Sequence, residues 1–328
     1  MQNAVIASVG GYVPERVLPN SWFDALLQED VGTWLRENLH IHERRWAAED
    51  ESTADLSQKA ALQAMERAGV TAGDIDLIII ATDTPVYSPS TAAVVQDRLG
   101  AANAGTFDVN TACAGFVTAL DIGAKFIRAD EQYQCILVIG AYAMSKYLNL
   151  NDKKTVTLFA DGAGAIILKA EATESRGFLS SQLRSMGQYH GWMGIYEGGT
   201  RHPVRQGAGP EMAQHLQFVK KFPKEINPET WADMARVLSG RIGLLPKDVD
   251  QYFITQLNIN SIWETMDKLD VPREKAHTIM QHYGYTGSAC LPLALNDAWE
   301  KGLVKPGDLL YFIGSGGGLA FAAAAFRF

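Results

Sequence analysis

Cys113 lies in GTFDVNTACAGFVTALDIGAKFI (105–127), where a β-like run, GTFDV, gives way to Phe116, Leu120, Ala124 and Ile127 at helical spacing. The cysteine therefore falls at a strand-to-helix turn, at or near a helix N-terminus. Its small neighbours Ala112, Ala114 and Gly115 leave room for a ligand to approach. A helix N-terminus favours a thiolate, so the expectation is a lowered thiol pKa and a nucleophile near neutral pH. The bland alternative is a small buried hydrophobe, the commoner fate of a free cysteine. The local residues leave the two readings even. The other cysteines, Cys135 and Cys290, are distant, and Cys135 opens an apolar strand-like run. An odd count with no CxxC pair suggests neither a zinc site nor a disulfide framework, and a reducing compartment fits.

Two glycine-rich segments are the next candidates. TLFADGAGAIIL (157–168) lacks both the Walker Lys-Ser/Thr pair and dinucleotide-fold spacing, and reads as a tight turn between two buried strands. GSGGG (314–318) follows an apolar run near the C-terminus. Glycines there would let backbone amides approach a ligand closely, as an oxyanion hole requires.

The elements that must position these residues alternate. DLIIIAT (76–82), CILVIGA (135–141), GAIILKA (164–170), QYFIT (251–255) and DLLYFIG (308–314) read as strands buried on both faces. Residues 53–68 carry Leu56, Ala60, Ala64 and Ala68 at helical spacing, with Gly69 as a natural stop. The pattern repeats weakly. AGVTAGDIDLIIIATDTP is echoed by IGLLPKDVDQYFITQLN, and QCILVIGAYAM by DLLYFIGSGGG. Repetition at half the chain length predicts two similar α/β units, 1–170 with the nucleophile and 171–328. Residues 184–227 break the alternation with Gly, Arg and aromatics and read as a functional cap loop. His190 and His202 lie in it as candidate bases, whereas His282 reads as structural.

The chain has 328 residues, 47% hydrophobic and 20% charged, which is globular composition. A net charge of −8 disfavours a nucleic-acid partner, which would need a basic face. No basic leader precedes the first apolar stretch, and no run reaches the ~18 apolar residues of a spanning helix. The expectation is a soluble, cytoplasmic protein with no membrane partner.

GGYVPERVLPN, FDVNTACAGF, TVTLFADGAGAIIL, YGYTGSACLPLALNDA and GLVKPGDLLYFIGSGGGLAFAAAAFRF together resemble the β-ketoacyl-ACP synthase III family, in order and over essentially the whole chain. The resemblance implies an α/β thiolase fold: duplicated halves in five α-β-α-β-α layers, as a homodimer. It implies that Cys113 takes an acyl group from coenzyme A or an acyl carrier protein and passes it to a second substrate. The Cys113 and Gly317 amides would form the oxyanion hole. Coenzyme A is then a substrate and no resident cofactor or metal is implied. Trp34, Arg44, Lys153 and Asn258 are the expected coenzyme A contacts, a core aromatic being the alternative for Trp34.

Two family positions differ. Thr255-Gln256-Leu257-Asn258 stands where the family has His-Gln-Ala-Asn, and Gly284-Tyr285-Thr286-Gly287 where it has Gly-Asn-Thr-Ser. Thr255 and Tyr285 thus replace the His and Asn that stabilise the enolate formed when malonyl loses carbon dioxide. Losing one such donor costs about 10²–10³ in rate, and neither replacement is a base near pH 7. Self-acylation needs only a thiolate, a thioester and an oxyanion hole. The expectation is therefore an acyltransferase that keeps the first half-reaction and alters the second. A scaffold subunit and a thioesterase are the alternatives.

Overall fold

The computed structural model describes residues 2–203 and 214–328. Its core is two sheets of matching topology. In the first, Asn3–Tyr12 pairs antiparallel with Asp161–Glu171, which pairs antiparallel with Cys135–Ala143. Leu77–Ala81 and then Gly105–Val109 follow in parallel. In the second, Gly177–Ser185, Ala320–Arg327, Leu309–Gly316 and Gln251–Ile254 take the same places with the same directions. The fifth position shrinks to a parallel bridge between Tyr252 and Ala276. The echoed segments of the sequence occupy equivalent strands, so the duplication is architectural.

Strand alternation sorts side chains between layers. Leu137 and Ile139 face an outer cluster with Ala60, Ala61 and Ala64 of helix Thr53–Ala68, which ends at Gly69 with φ +61°. Ile136 and Val138 face the interior, against Phe116 and Leu120 of helix Gly115–Ala129. That helix and Cys290–Glu300 form the middle layer: the first touches strands of both sheets, the second Asp161–Glu171 and Gln251–Ile254. Helix Ile226–Arg241 covers the outside of the second sheet, completing five layers.

One expectation fails here. The glycines of 157–168 make no turn: Asp161–Glu171 is one continuous strand, and the chain turns only before it, at Thr157 and Leu158. Its glycines serve packing instead. A Cβ on Gly164 would lie 2.6 Å from the Pro292 Cβ, so the middle-layer helix rests directly on this strand. Of the stretch 184–227, residues 204–213 lie outside those described; the remainder carries two-residue strands, Met193–Gly194 and Gln217–Phe218, paired antiparallel. Among the described residues no helix is long and apolar enough to cross a membrane.

Candidate active site

Gly105–Val109 delivers the chain to Cys113 through a strained turn in which Ala112 holds φ +47°. Such a conformation costs a non-glycine residue on the order of 1–2 kcal/mol and persists where packing fixes it. Gly115 begins the helix at a spot where an added Cβ would sit 3.2 Å from that of Ala81, so the turn is clamped to the first sheet. From the second sheet, the glycine-rich turn arrives opposite. A Cβ on Gly316 would stand 2.5 Å from the Cys113 backbone nitrogen, and Gly317 lies beside it. Gly316 was not singled out in the sequence, although its place between Ser315 and Gly317 in GSGGG was the available signal.

These elements enclose a cavity of about 60 Å³ lined by Cys113, Thr255, Tyr285 and Gly317, with Met193 and Phe222 on its apolar wall. Four positions separated by up to 204 residues, from 113 to 317, thus meet in one pocket. Asn258 is the helix N-cap of Ile259–Leu269, its Oδ1 accepting from the Asn260 amide at 3.0 Å. It also lines a neighbouring cleft with Lys154, Lys220, Lys221 and Lys224, and that cleft shares Phe218, Phe222 and Leu257 with the Cys113 pocket.

The electrostatics of Cys113 oppose the sequence reading. The residue is 2% exposed, and burial pushes its thiol well up; the Asp83 carboxylate adds to the rise, while the Tyr285 hydroxyl bonded to it pulls it back. Desolvating a thiolate outweighs the fractional charge at a helix N-terminus, so the resting group is a thiol. Tyr285 is itself buried, fixed by its amide donating to the Leu158 carbonyl (2.9 Å) and its ring lying 5.5 Å from that of Phe159. The Thr255 hydroxyl accepts from the Ser315 amide at 2.9 Å and points back toward the Ser315 carbonyl at 3.4 Å. It ties two strand ends together and has little left to offer a substrate.

The expected coenzyme A contacts divide. Trp34 is 54% exposed, which rules out a core aromatic. Lys153 is on the surface, paired with Glu29 at 2.8 Å. Arg44 is a correction: it is wholly buried, donating to Asn20 Oδ1 (2.6 Å) and to the Thr157 carbonyl, with its guanidinium over Phe23. Burial lowers its pKa to about 9. An arginine this enclosed braces the core and reaches no nucleotide. The candidate bases are corrected too. His190 and His202 are exposed, as is His282, and no histidine lines the Cys113 pocket among the described residues.

Two duplicated sheets around a central helix pair, with a cysteine heading one of those helices, define a thiolase-fold protein. Residues 107–187 match the family 3-oxoacyl-[acyl-carrier-protein (ACP)] synthase III, and residues 240–328 match its C-terminal domain. A β-ketoacyl-[acyl-carrier-protein] synthase III of Xanthomonas oryzae pv. oryzae is 38% identical over 332 positions, covering 98% of each chain. The Paracoccus denitrificans enzyme of that name is 37% identical with 100% of both chains covered. Among solved structures, the Thermus thermophilus synthase III superposes with a TM-score of 0.90 at 31% identity, covering 98% of each chain. The priming β-ketosynthase of the R1128 polyketide pathway gives 0.91 at 27%, covering 99% of this chain and 96% of the other. The chain belongs to the 3-oxoacyl-[acyl-carrier-protein] synthase III family.

Proposed function

We propose that this protein loads an acyl group from a coenzyme A or carrier-protein thioester onto Cys113 and transfers it to a second substrate other than a decarboxylating malonyl thioester. The observation that carries this reading is the meeting of Cys113, Tyr285, Thr255 and Gly317 in one small pocket with no histidine among its described lining residues. In the loading step Sγ attacks the thioester carbonyl carbon, and the carbonyl oxygen becomes an oxyanion. The close approach of the glycine turn to the Cys113 amide supports Cys113 and Gly317 as its donors. Tyr285 donates to Sγ and so offsets part of the cost of forming a thiolate in a buried place. The cleft with four lysines beside the pocket suits the phosphates of the donor, and Asn258 and exposed Trp34 remain candidates for its contacts.

The second half-reaction differs because the enolate has lost its donors. The Thr255 hydroxyl is held by Ser315, and the Tyr285 hydroxyl is spent on Sγ. An acceptor that is already a nucleophile, such as an alcohol, amine or thiol, needs neither. Intact-protein mass spectrometry after incubation with a panel of acyl-CoAs tests the reading. A stable adduct absent from Cys113→Ala supports transfer. Release of free acid without an adduct supports a hydrolase, and no adduct with any donor supports a scaffold.

A further inference from the structure

Arg44 and Trp46 stand two residues apart, on and just past the short strand Glu43–Arg45, and both send a side-chain donor to one stretch of backbone. The Arg44 guanidinium donates to the Thr157 carbonyl, and the Trp46 indole N–H donates to the Phe159 carbonyl at 3.0 Å. Residues two apart on an extended chain share a face, which is why both side chains reach the same segment. The Ala47 amide continues the contact, donating to the Asp161 carboxylate at 2.8 Å.

That segment holds Tyr285. The Tyr285 amide donates to the Leu158 carbonyl and the Ala160 amide to the Tyr285 carbonyl, both at 2.9 Å, in a parallel bridge at Phe159. Beside it Gly284 takes φ +63°, and a Cβ there would lie 2.8 Å from the Arg44 Cβ and 3.2 Å from the Leu158 carbonyl oxygen. Arg44 therefore meets the Tyr285 backbone twice, through the Thr157 carbonyl and by packing on Gly284. Tyr285 and Cys113 line one pocket, so whatever fixes this backbone sets where the phenol meets the sulfur.

The chemistry of Arg44 also points to placement. Both of its acceptors, Asn20 Oδ1 and the Thr157 carbonyl, are neutral; its Nε has no partner, and Asp24 acts on it only through space. A buried guanidinium bonded only to neutral oxygens is costly, and an apolar side chain of similar volume would fill the same space. Directed donors are what such a side chain would lack.

We infer that Arg44 and Trp46 are positioning residues for Tyr285: by holding the Thr157 and Phe159 carbonyls they fix the segment to which Tyr285 is bridged, and so keep its hydroxyl on the Cys113 sulfur. The inference rests on the donor role given to Tyr285 in the loading reaction proposed above.

The test reads iodoacetamide alkylation of Cys113 by peptide-resolved mass spectrometry. It compares wild type, Arg44→Lys, Trp46→Phe and Tyr285→Phe, and the first two changes each combined with Tyr285→Phe. Lysine keeps the charge without the guanidinium fork, and phenylalanine keeps an aromatic ring without the N–H. Cys113 should react at least about threefold more slowly in Arg44→Lys and in Trp46→Phe, and no more slowly than in Tyr285→Phe. Neither change should slow Cys113 further in the Tyr285→Phe background, because residues acting through one another are not additive. Cys135 should keep its rate throughout. A brace with no bearing on Tyr285 gives the opposite sign: a loosened fold opens both buried cysteines, and both react faster. Cys113 alkylation at the wild-type rate or faster in the folded variants would overturn the inference, as would slowing that persists in full without the Tyr285 hydroxyl. Should Arg44→Lys fail to fold, Trp46→Phe, which acts on the same segment, decides by the same two criteria. A wild-type rate in Tyr285→Phe itself would remove the donor role and this inference with it, while adduct formation with acyl-CoA reads the proposed function separately.

Discussion

Replacing Tyr285 with Phe isolates one hydroxyl. The ring is buried against Phe159 and its backbone is bonded on both sides, to Leu158 and to Ala160, so Phe keeps the packing and the strand bridge. What goes is the donor to Sγ. A hydrogen bond to a charged group is worth about 1.5–3 kcal/mol. Its loss disfavours the thiolate by that amount, and each ~1.36 kcal/mol is tenfold in thiolate fraction. Iodoacetamide alkylation of Cys113 at fixed pH should therefore slow by about 10- to 100-fold. Cys135 is the internal control, since burial pushes its thiol up to about 11 and it lies in a different strand; its rate should not change. In the resting enzyme only a neutral hydrogen bond is lost, so stability should fall by about 0.5–1.5 kcal/mol. The assay is peptide-resolved mass spectrometry of alkylation time courses, with a denaturation curve as the fold check. Alkylation of Cys113 at the wild-type rate or faster in a folded variant would refute the assignment of Tyr285 as thiolate donor.

Three further outcomes follow from the same geometry. Thr255→His combined with Tyr285→Asn should raise malonyl-thioester decarboxylation at least about tenfold over a wild-type rate near background, a fraction of the ~3 kcal/mol carried by one oxyanion donor; release of carbon dioxide measures it. Both single changes should recover less, and folding must be checked, because deleting the buried Tyr285 ring costs about 3 kcal/mol or more. Gly105–Val109 ends the first sheet with its outer edge unpaired among the described residues, so light scattering should give about twice 35.8 kDa as a second copy covers that edge; a clean monomer at micromolar concentration would exclude it. Finally, burial raises the Asp83 carboxyl from 3.8 to about 6, so the folded state binds this proton more tightly than the unfolded chain. The stability it contributes is present below pH ~4 and lost as pH rises toward 6. Asp83→Asn should remove that slope and be more stable than wild type at pH 7 by at most about 3 kcal/mol in urea titrations.

Much of this molecule was written locally. The apolar runs at 77–81, 135–141 and 309–314 could only be strands buried on both faces, because no polar side chain interrupts them. The helix at 53–68 announced its stop with Gly69, and the repeat between halves was visible because two copies of one topology must bury the same pattern. Cys113, the glycine turn and the two altered positions were legible through family motifs, each read on its own short segment. What a segment cannot carry is its surroundings. Arg44 was expected at coenzyme A because it matches a family position, and only the packing of Asn20, Phe23 and Thr157 around it shows a buried brace. Gly162 and Gly164 looked like a turn because glycine permits one, yet helix Cys290–Glu300 needs them flat in a strand. The thiol pKa was misread for the same reason. A helix N-terminus is a local feature, but desolvation and the charge of Asp83 come from 30 residues upstream and from the opposite sheet. Sequence fixes what each residue can offer; burial, which no single stretch of chain controls, decides which form of it exists.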